Sequence, residues 1–122
     1  MPRVLIVDDN ESILAIAKQV AERIGFAAAT LGNAAQFMTT FVRFKPDIVV
    51  LDVVMPDIDG IEIVRWLDDI DYTGRLIIMS GYGNFDRMAK ALAEARGRMV
   101  VMSLPKPFRV AELEAALRGQ VA

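Results

Sequence analysis

The 122-residue chain contains no cysteine and no histidine. Without cysteine there is no disulfide framework and no thiolate metal site, a composition that suits a reducing compartment. The absence of histidine excludes more. These residues cannot build a Ser-His-Asp triad, an imidazole general base or a His-liganded zinc site. Charge of one sign is also lacking. The net charge is −2, which offers no basic footprint for nucleic acid and no polybasic patch for a membrane. No apolar run approaches the roughly 18 residues that span a bilayer. Met1-Pro2-Arg3 leads into strand-like sequence and not into the long apolar stretch of a secretory signal. The expectation is a cytoplasmic domain with neither a nucleic-acid nor a membrane partner. Any chemistry must use carboxylates, hydroxyls, lysine and backbone groups, and hard oxygen ligands of that kind suit Mg²⁺ or Ca²⁺.

What is present is a large apolar fraction, 54%, enough for one well-filled core in a single domain spanning residues 1–122. Strand-like and helix-like periods alternate along it. Val4–Val7, Phe26–Leu31, Ile48–Leu51, Leu76–Met79 and Met99–Met102 read as strands. The first predicted helix carries Ile13, Ile16, Ala17, Val20, Ala21 and Ile24 on one face, with Asn10 or Ser12 as its cap and Gly25 as its end. A second runs over Ala34–Phe44 with the stripe Phe37, Met38, Phe41, Phe44. A third covers Ile61–Asp69 with Ile61, Val64 and Leu67 inward, after the loop "MPDIDG". The fourth follows the loop "GYGN", from Phe85 to about Ala95. The last runs over Val110–Arg118 with Val110, Leu113, Ala116 and Leu117 inward. Five βα units imply a doubly wound α/β domain, with a parallel sheet and helices on both faces.

In such sheets ligands bind beyond the carboxyl ends of the strands. Asp8 and Asp9 follow the first strand, Asp52 the third, Ser80 the fourth and, after a short loop, Lys106 the fifth. Each has a plainer reading alone. The acid pair could be a solvated turn or cap, Ser80 a turn residue and Lys106 a surface lysine. Asp57 and Asp59 read as turn formers in a Pro/Gly loop, and Trp66 as a residue packed on a helix face. "GYGN" lacks the third glycine of a dinucleotide loop and follows the wrong strand. Taken together, three acids at one sheet edge need a counter-charge. Mg²⁺ would supply it. Lys106 and Ser80 suit phosphoryl oxygens, and a carboxylate can be a covalent phosphoryl acceptor. The constellation reads as Mg²⁺-dependent phosphorylation of an aspartate.

Across its whole length the chain resembles the response-regulator receiver domains of two-component signalling, the CheY-like superfamily. The resemblance rests on "LIVDD", "DIVVLDVVMPDIDGIE", "LIIMSGYG" and "LPKPF", in that order. It implies a flavodoxin-like sheet in the order 2-1-3-4-5. It implies that Asp52 takes a phosphoryl group from a sensor histidine kinase or a histidine phosphotransfer protein. Mg²⁺ would be bound by Asp9, Asp52 and the Val54 carbonyl, with Asp8 acting through a water. Ser80 and Lys106 would meet the phosphoryl group, and Lys106 would pair with Asp52 beforehand. The Lys106–Pro107 bond would be cis. Slow autodephosphorylation would follow, with the signal passing to a downstream target or a covalently linked output domain. The output face would be the fourth helix, fifth strand and fifth helix, which could also serve a homodimer.

One position departs from the family pattern. Ser103 stands where an aromatic residue is usual, so the ring that normally moves with the hydroxyl residue is missing. Two alternatives remain at this stage. A degenerate receiver would serve only as a docking module. A Mg²⁺-dependent phosphohydrolase of the haloacid-dehalogenase type would want an acid where Val54 stands. The chain fits both a stand-alone regulator and the N-terminal receiver of a longer one.

Overall fold

The computed structural model describes residues 1–52, 54–55, 58–80 and 98–119. The predicted helix from Phe85 and the "GYGN" loop lie outside them. Five strands form one parallel sheet: β1 (Arg3–Val7), β2 (Ala27–Leu31), β3 (Ile48–Asp52), β4 (Arg75–Ser80) and β5 (Val100–Pro105). Their spatial order is 2-1-3-4-5, the doubly wound flavodoxin-like arrangement. α1 (Glu11–Arg23) and the C-terminal helix (Val110–Leu117) cover one face, while α2 (Phe37–Phe44) and α3 (Gly60–Asp69) cover the other.

The central strands explain this layering. β3 reads IVVLD and is buried at all five positions, as a strand sandwiched between helices must be. Alternation then sorts its side chains. Val49 and Leu51 join Leu5, Val7, Leu76 and Ile78 against α2 and α3. Ile48 and Val50 join Val4, Ile6, Ile77 and Met79 against α1 and the C-terminal helix. Each fully buried aliphatic side chain contributes about 1.5–3 kcal/mol of transfer free energy.

α1 begins at Asn10, whose Oδ1 accepts the Ile13 N–H at 3.1 Å and so satisfies one of the helix's orphan donors. It ends at Gly25, whose φ of +98° favours a residue with no Cβ. Its buried positions are Leu14, Ala17, Val20 and Ala21. Ile16, expected inward, is 45% exposed, because the buried stripe runs through Leu14 and the two alanines that let the helix approach the sheet. In α2, Phe37 and Phe41 are buried but Met38 is 52% exposed, a second departure from the expected stripe. That helix also starts later than Ala34, since the side chain of Asn33 holds the Ala35 N–H and Ala34 closes a turn onto Phe37. In α3, Val64 and Leu67 are buried as expected, with Ile63 beside them, while the side chain of Ile61 lies outside the described residues.

Three further boundaries differ from the sequence reading. A short antiparallel ladder, Val54–Met55 against Ile58–Asp59, runs from the residue before the "MPDIDG" stretch into it. Val110 is 42% exposed, at the first turn of the C-terminal helix, which buries Leu113, Ala116 and Leu117. β5 continues past Met102 through Ser103 and Leu104 to Pro105. At the opposite end of the sheet, Arg75 donates to the carbonyls of Ala116 and Leu117 at 2.9 and 2.6 Å. These carbonyls belong to the last helical turn, and that of Ala116 also accepts the Gly119 N–H.

Candidate functional site

The site forms where β1, β3 and β5 end. Val7 pairs with Leu51, so the next residues along, Asp8 and Asp52, are neighbours. They also continue the alternation that puts Val4, Ile6, Ile48 and Val50 toward α1 and the C-terminal helix. Lys106 follows β5 directly, in step with buried Leu104. Register and parity together therefore bring two acids and a lysine to one point.

Asp8 is fully buried. Its N–H donates to the Leu31 carbonyl at 3.1 Å, extending the β1–β2 ladder. Its Oδ1 accepts the Asn10 N–H at 2.8 Å, and its Oδ2 accepts from Lys106 Nζ at 2.7 Å. Asp52, 4% exposed, also accepts from Lys106 Nζ, at 3.1 Å. The lysine thus bridges the two carboxylates. Burial alone would lower its pKa, but the hydrogen bonds and charges of Asp8 and Asp52 outweigh that, and the pKa is raised. Asp9, next to the most deeply buried acid, is exposed. The adjacent pair is made tolerable by placing one carboxylate inward, onto an ammonium, and leaving the other exposed. Oxygens of Asp8, Asp9 and Asp52 still converge within 4.8 Å of one another.

The other candidate residues lie around this cluster. Val54 follows two residues after Asp52, paired with Asp59 in the short ladder. Ser80 is the last residue of β4 and sits in register with Pro105; its side chain is outside the described residues. Ser103 is exposed on β5, opposite Ile78. The Lys106–Pro107 peptide bond is cis. Sequence reasoning missed two partners. Asp8 is a closer partner of Lys106 than Asp52 is, and Asn10 secures Asp8 through its backbone while capping α1 through its side chain. Beside the cluster, Ile13, Ile16, Pro107, Phe108 and Val110 line an apolar hollow of about 410 Å³ with Lys106 at its edge.

The model of the response regulator receiver domain matches residues 4–118. The chain belongs to that family. Sporulation initiation phosphotransferase F of Bacillus subtilis is 31% identical over 116 residues, 95% of this chain and 90% of that protein. The chemotaxis protein CheY of the same species is 31% identical over 108 residues, covering 88% and 87%. The transcriptional regulatory protein TrcR of Mycobacterium tuberculosis is 32% identical over 118 residues, and there the match covers 96% of this chain but 44% of the relative. A solved response regulator from Colwellia psychrerythraea superposes with a TM-score of 0.80 at 32% identity, covering 97% and 94%. This receiver is a phosphorylation-activated signalling switch.

Receiver domains bind Mg²⁺ at an acidic aspartate cluster. The donors here fit that ion. Three carboxylates against one ammonium leave an excess of two negative charges, and all the side-chain donors are hard oxygens. No helix among the described residues is long and apolar enough to cross a membrane.

Proposed function

We propose that Asp52 is the phosphoryl acceptor of this receiver. The donor is a phosphohistidine on another chain, a sensor histidine kinase or a histidine phosphotransfer protein. A carboxylate oxygen of Asp52 forms the bond to phosphorus while the phosphorus–nitrogen bond breaks, and its electron pair returns to the donor imidazole. The observation that carries this reading is the Lys106 ammonium, 2.7 Å from Asp8 and 3.1 Å from Asp52. A cation already fixed beside the acceptor stabilises the charge of the entering phosphoryl oxygens at little reorganisation cost.

Asp9, Asp52 and the Val54 carbonyl would hold Mg²⁺, with Asp8 reaching it through a water. When bound, the ion neutralises carboxylate and phosphoryl oxygens that would otherwise repel. Asp8 has a second task, since it shares Lys106 with Asp52 and aims the ammonium at the acceptor. After transfer, Lys106 and the Ser80 hydroxyl follow the phosphoryl oxygens and carry their loops with them. Ser103 brings no ring to that movement. The switch therefore runs through the β5 backbone and the Lys106 loop, toward a downstream target or a linked output domain. The hollow lined by Ile13, Ile16 and Phe108 supports docking of the donor close to Asp52. A haloacid-dehalogenase-type hydrolase is not favoured, because residue 54 is valine.

Intact mass after incubation with acetyl phosphate and Mg²⁺ tests the proposal, beside the same experiment on Asp52→Asn. One phosphoryl adduct is expected in the wild type only, and it should disappear with a chelator. If acetyl phosphate gives none, a phosphorylated histidine donor is used. Failure with both, or an adduct that survives Asp52→Asn, overturns the assignment.

A further inference from the structure

Asp8 is fully buried, and both of its carboxylate oxygens are engaged. Oδ2 accepts from Lys106 Nζ at 2.7 Å and Oδ1 from the Asn10 N–H at 2.8 Å. The second bond joins residue i to residue i+2, an Asx turn. It closes over Asp9, so the backbone that presents the exposed acid is held by the bond that orients the buried one. Oxygens of these two acids and of Asp52 converge within 4.8 Å of one another. A shift of the turn therefore moves two of the three acids at once.

The turn is anchored by the helix that follows it. Asn10 has φ −91° and ψ 111°, the extended conformation of a cap residue. Its carbonyl accepts the Leu14 N–H at 3.1 Å, and its Oδ1 accepts the Ile13 N–H at the same distance. Leu14 is itself buried against the sheet. Residue 10 is thus tied to α1 by two acceptors and to Asp8 by one donor. The side-chain bond is the one that a substitution can remove. Without it the first turn frays, or a strong helix former draws residue 10 into the helix. Either change turns the amide away from Asp8 and leaves a buried carboxylate oxygen without its donor.

We propose that Asn10 is a positioning residue for phosphoryl transfer. The cap fixes the Asn10 amide, and the amide fixes the Asp8 carboxylate and the turn at Asp9. These in turn hold Lys106 and the Mg²⁺ ligands in place. Partners that orient metal-binding groups from behind contribute about 10–100-fold to metal affinity. Ile13, whose N–H the cap holds, also lines the hollow beside Lys106. The same bond therefore sets the acid cluster against the surface assigned to the donor. The inference rests on the reading of Asp52 as phosphoryl acceptor and of its neighbours as the Mg²⁺ site, and it adds Asn10 to that site.

The test is Mg²⁺ affinity, followed by amide NMR shifts of the whole chain in Asn10→Ala, Asn10→Gln and Asn10→Ser. Alanine has no acceptor, and glutamine carries its amide one methylene too far to cap. Both should bind Mg²⁺ about tenfold more weakly. Serine caps as well as asparagine. It should restore the affinity and keep the low-field residue-10 amide signal of a bond to carboxylate, which the other two lose. Tyr72→Phe is the control for lost stability alone, because its hydroxyl bonds to Pro46, at the other end of β3 from Asp52. It should bind Mg²⁺ as the wild type does. Wild-type affinity in Asn10→Ala, no recovery with serine, or an equal loss in Tyr72→Phe would overturn the proposal. Mg²⁺ affinity needs no phosphoryl adduct, so a failure of Asp52 as acceptor would show in the mass experiment and leave these readouts to judge Asn10.

Discussion

Replacing Lys106 by methionine removes the ammonium and keeps most of the side-chain volume. It removes the ammonium that Asp8 and Asp52 share and leaves the fully buried Asp8 carboxylate without that ion pair. Removing one partner of a buried ion pair costs about 3–5 kcal/mol, because the remaining charge is uncompensated. The lower end applies here. The Lys106 side chain keeps 21% of its exposure, and the other oxygen of Asp8 retains the Asn10 N–H. A loss of about 3 kcal/mol is therefore expected, measured by urea unfolding with Trp66 fluorescence at neutral pH. The pH dependence has a definite sign. A lysine pKa raised on folding contributes stability that is complete below its ordinary value of 10.5 and lost as pH rises through the folded value. The gap between wild type and variant should hold up to about pH 10.5 and narrow between there and the folded value. Mg²⁺ should also narrow it, since the variant's acid cluster carries one more uncompensated charge and should bind the ion more tightly. A loss under about 1 kcal/mol, the range of exposed pairs, or a weakened Mg²⁺ affinity in the variant would refute the reasoning.

Other expectations can be checked with the same assays. Tyr72 donates to the Pro46 carbonyl at 2.9 Å, so Tyr72→Phe should cost about 1 kcal/mol at neutral pH. Burial and the charge of Asp47 push the phenol's pKa up, against the lowering effect of Arg75. Its contribution is complete below the ordinary value of 10.0 and lost as pH rises through the folded value. The phenylalanine variant should therefore lose less stability than the wild type in strong alkali. Asn10→Ala removes the α1 cap and should destabilise by about 1 kcal/mol in urea unfolding. Asp9 is exposed, so Asp9→Ala should leave unfolding almost unchanged while weakening an NMR-detected Mg²⁺ titration. Leu117, fully buried beneath the sheet, should cost about 2–5 kcal/mol as alanine, read from the urea midpoint.

The strands were legible because β-branched runs such as Ile48-Val49-Val50-Leu51 have few alternatives once they lie between turn signals. Among the described helices, phase was less legible than existence. Along α1, Ala17, Val20 and Ala21 of the expected stripe are buried, but Leu14 takes the inward place expected of Ile16. The end of β5 was hidden by composition, since Ser103 and Pro105 read as loop residues. Among the described residues β5 is the edge strand, next to β4, and proline is tolerated on an edge strand. The grouping of acids and lysine at one sheet edge followed from reading strand ends in order. That Lys106 bridges to Asp8 depends on the register of β1 with β3 and on which face each residue takes, and neither is written in residue identity.

The division of side chains between the two faces of the sheet has a further consequence. Asp8, Asp52 and Lys106 belong to the compartment filled by α1 and the C-terminal helix. The aromatic cluster of Phe37, Phe41 and Trp66 belongs to the other. The sheet thus keeps the acid–lysine cluster and the aromatic cluster apart. Repacking beneath α1 would disturb the geometry of the acids, whereas repacking among Phe37, Phe41 and Trp66 would act from the other side of the sheet. A single-residue deletion within β1 or β3 is the change this architecture tolerates least, because it would transfer an acid from one compartment to the other while leaving the composition almost intact.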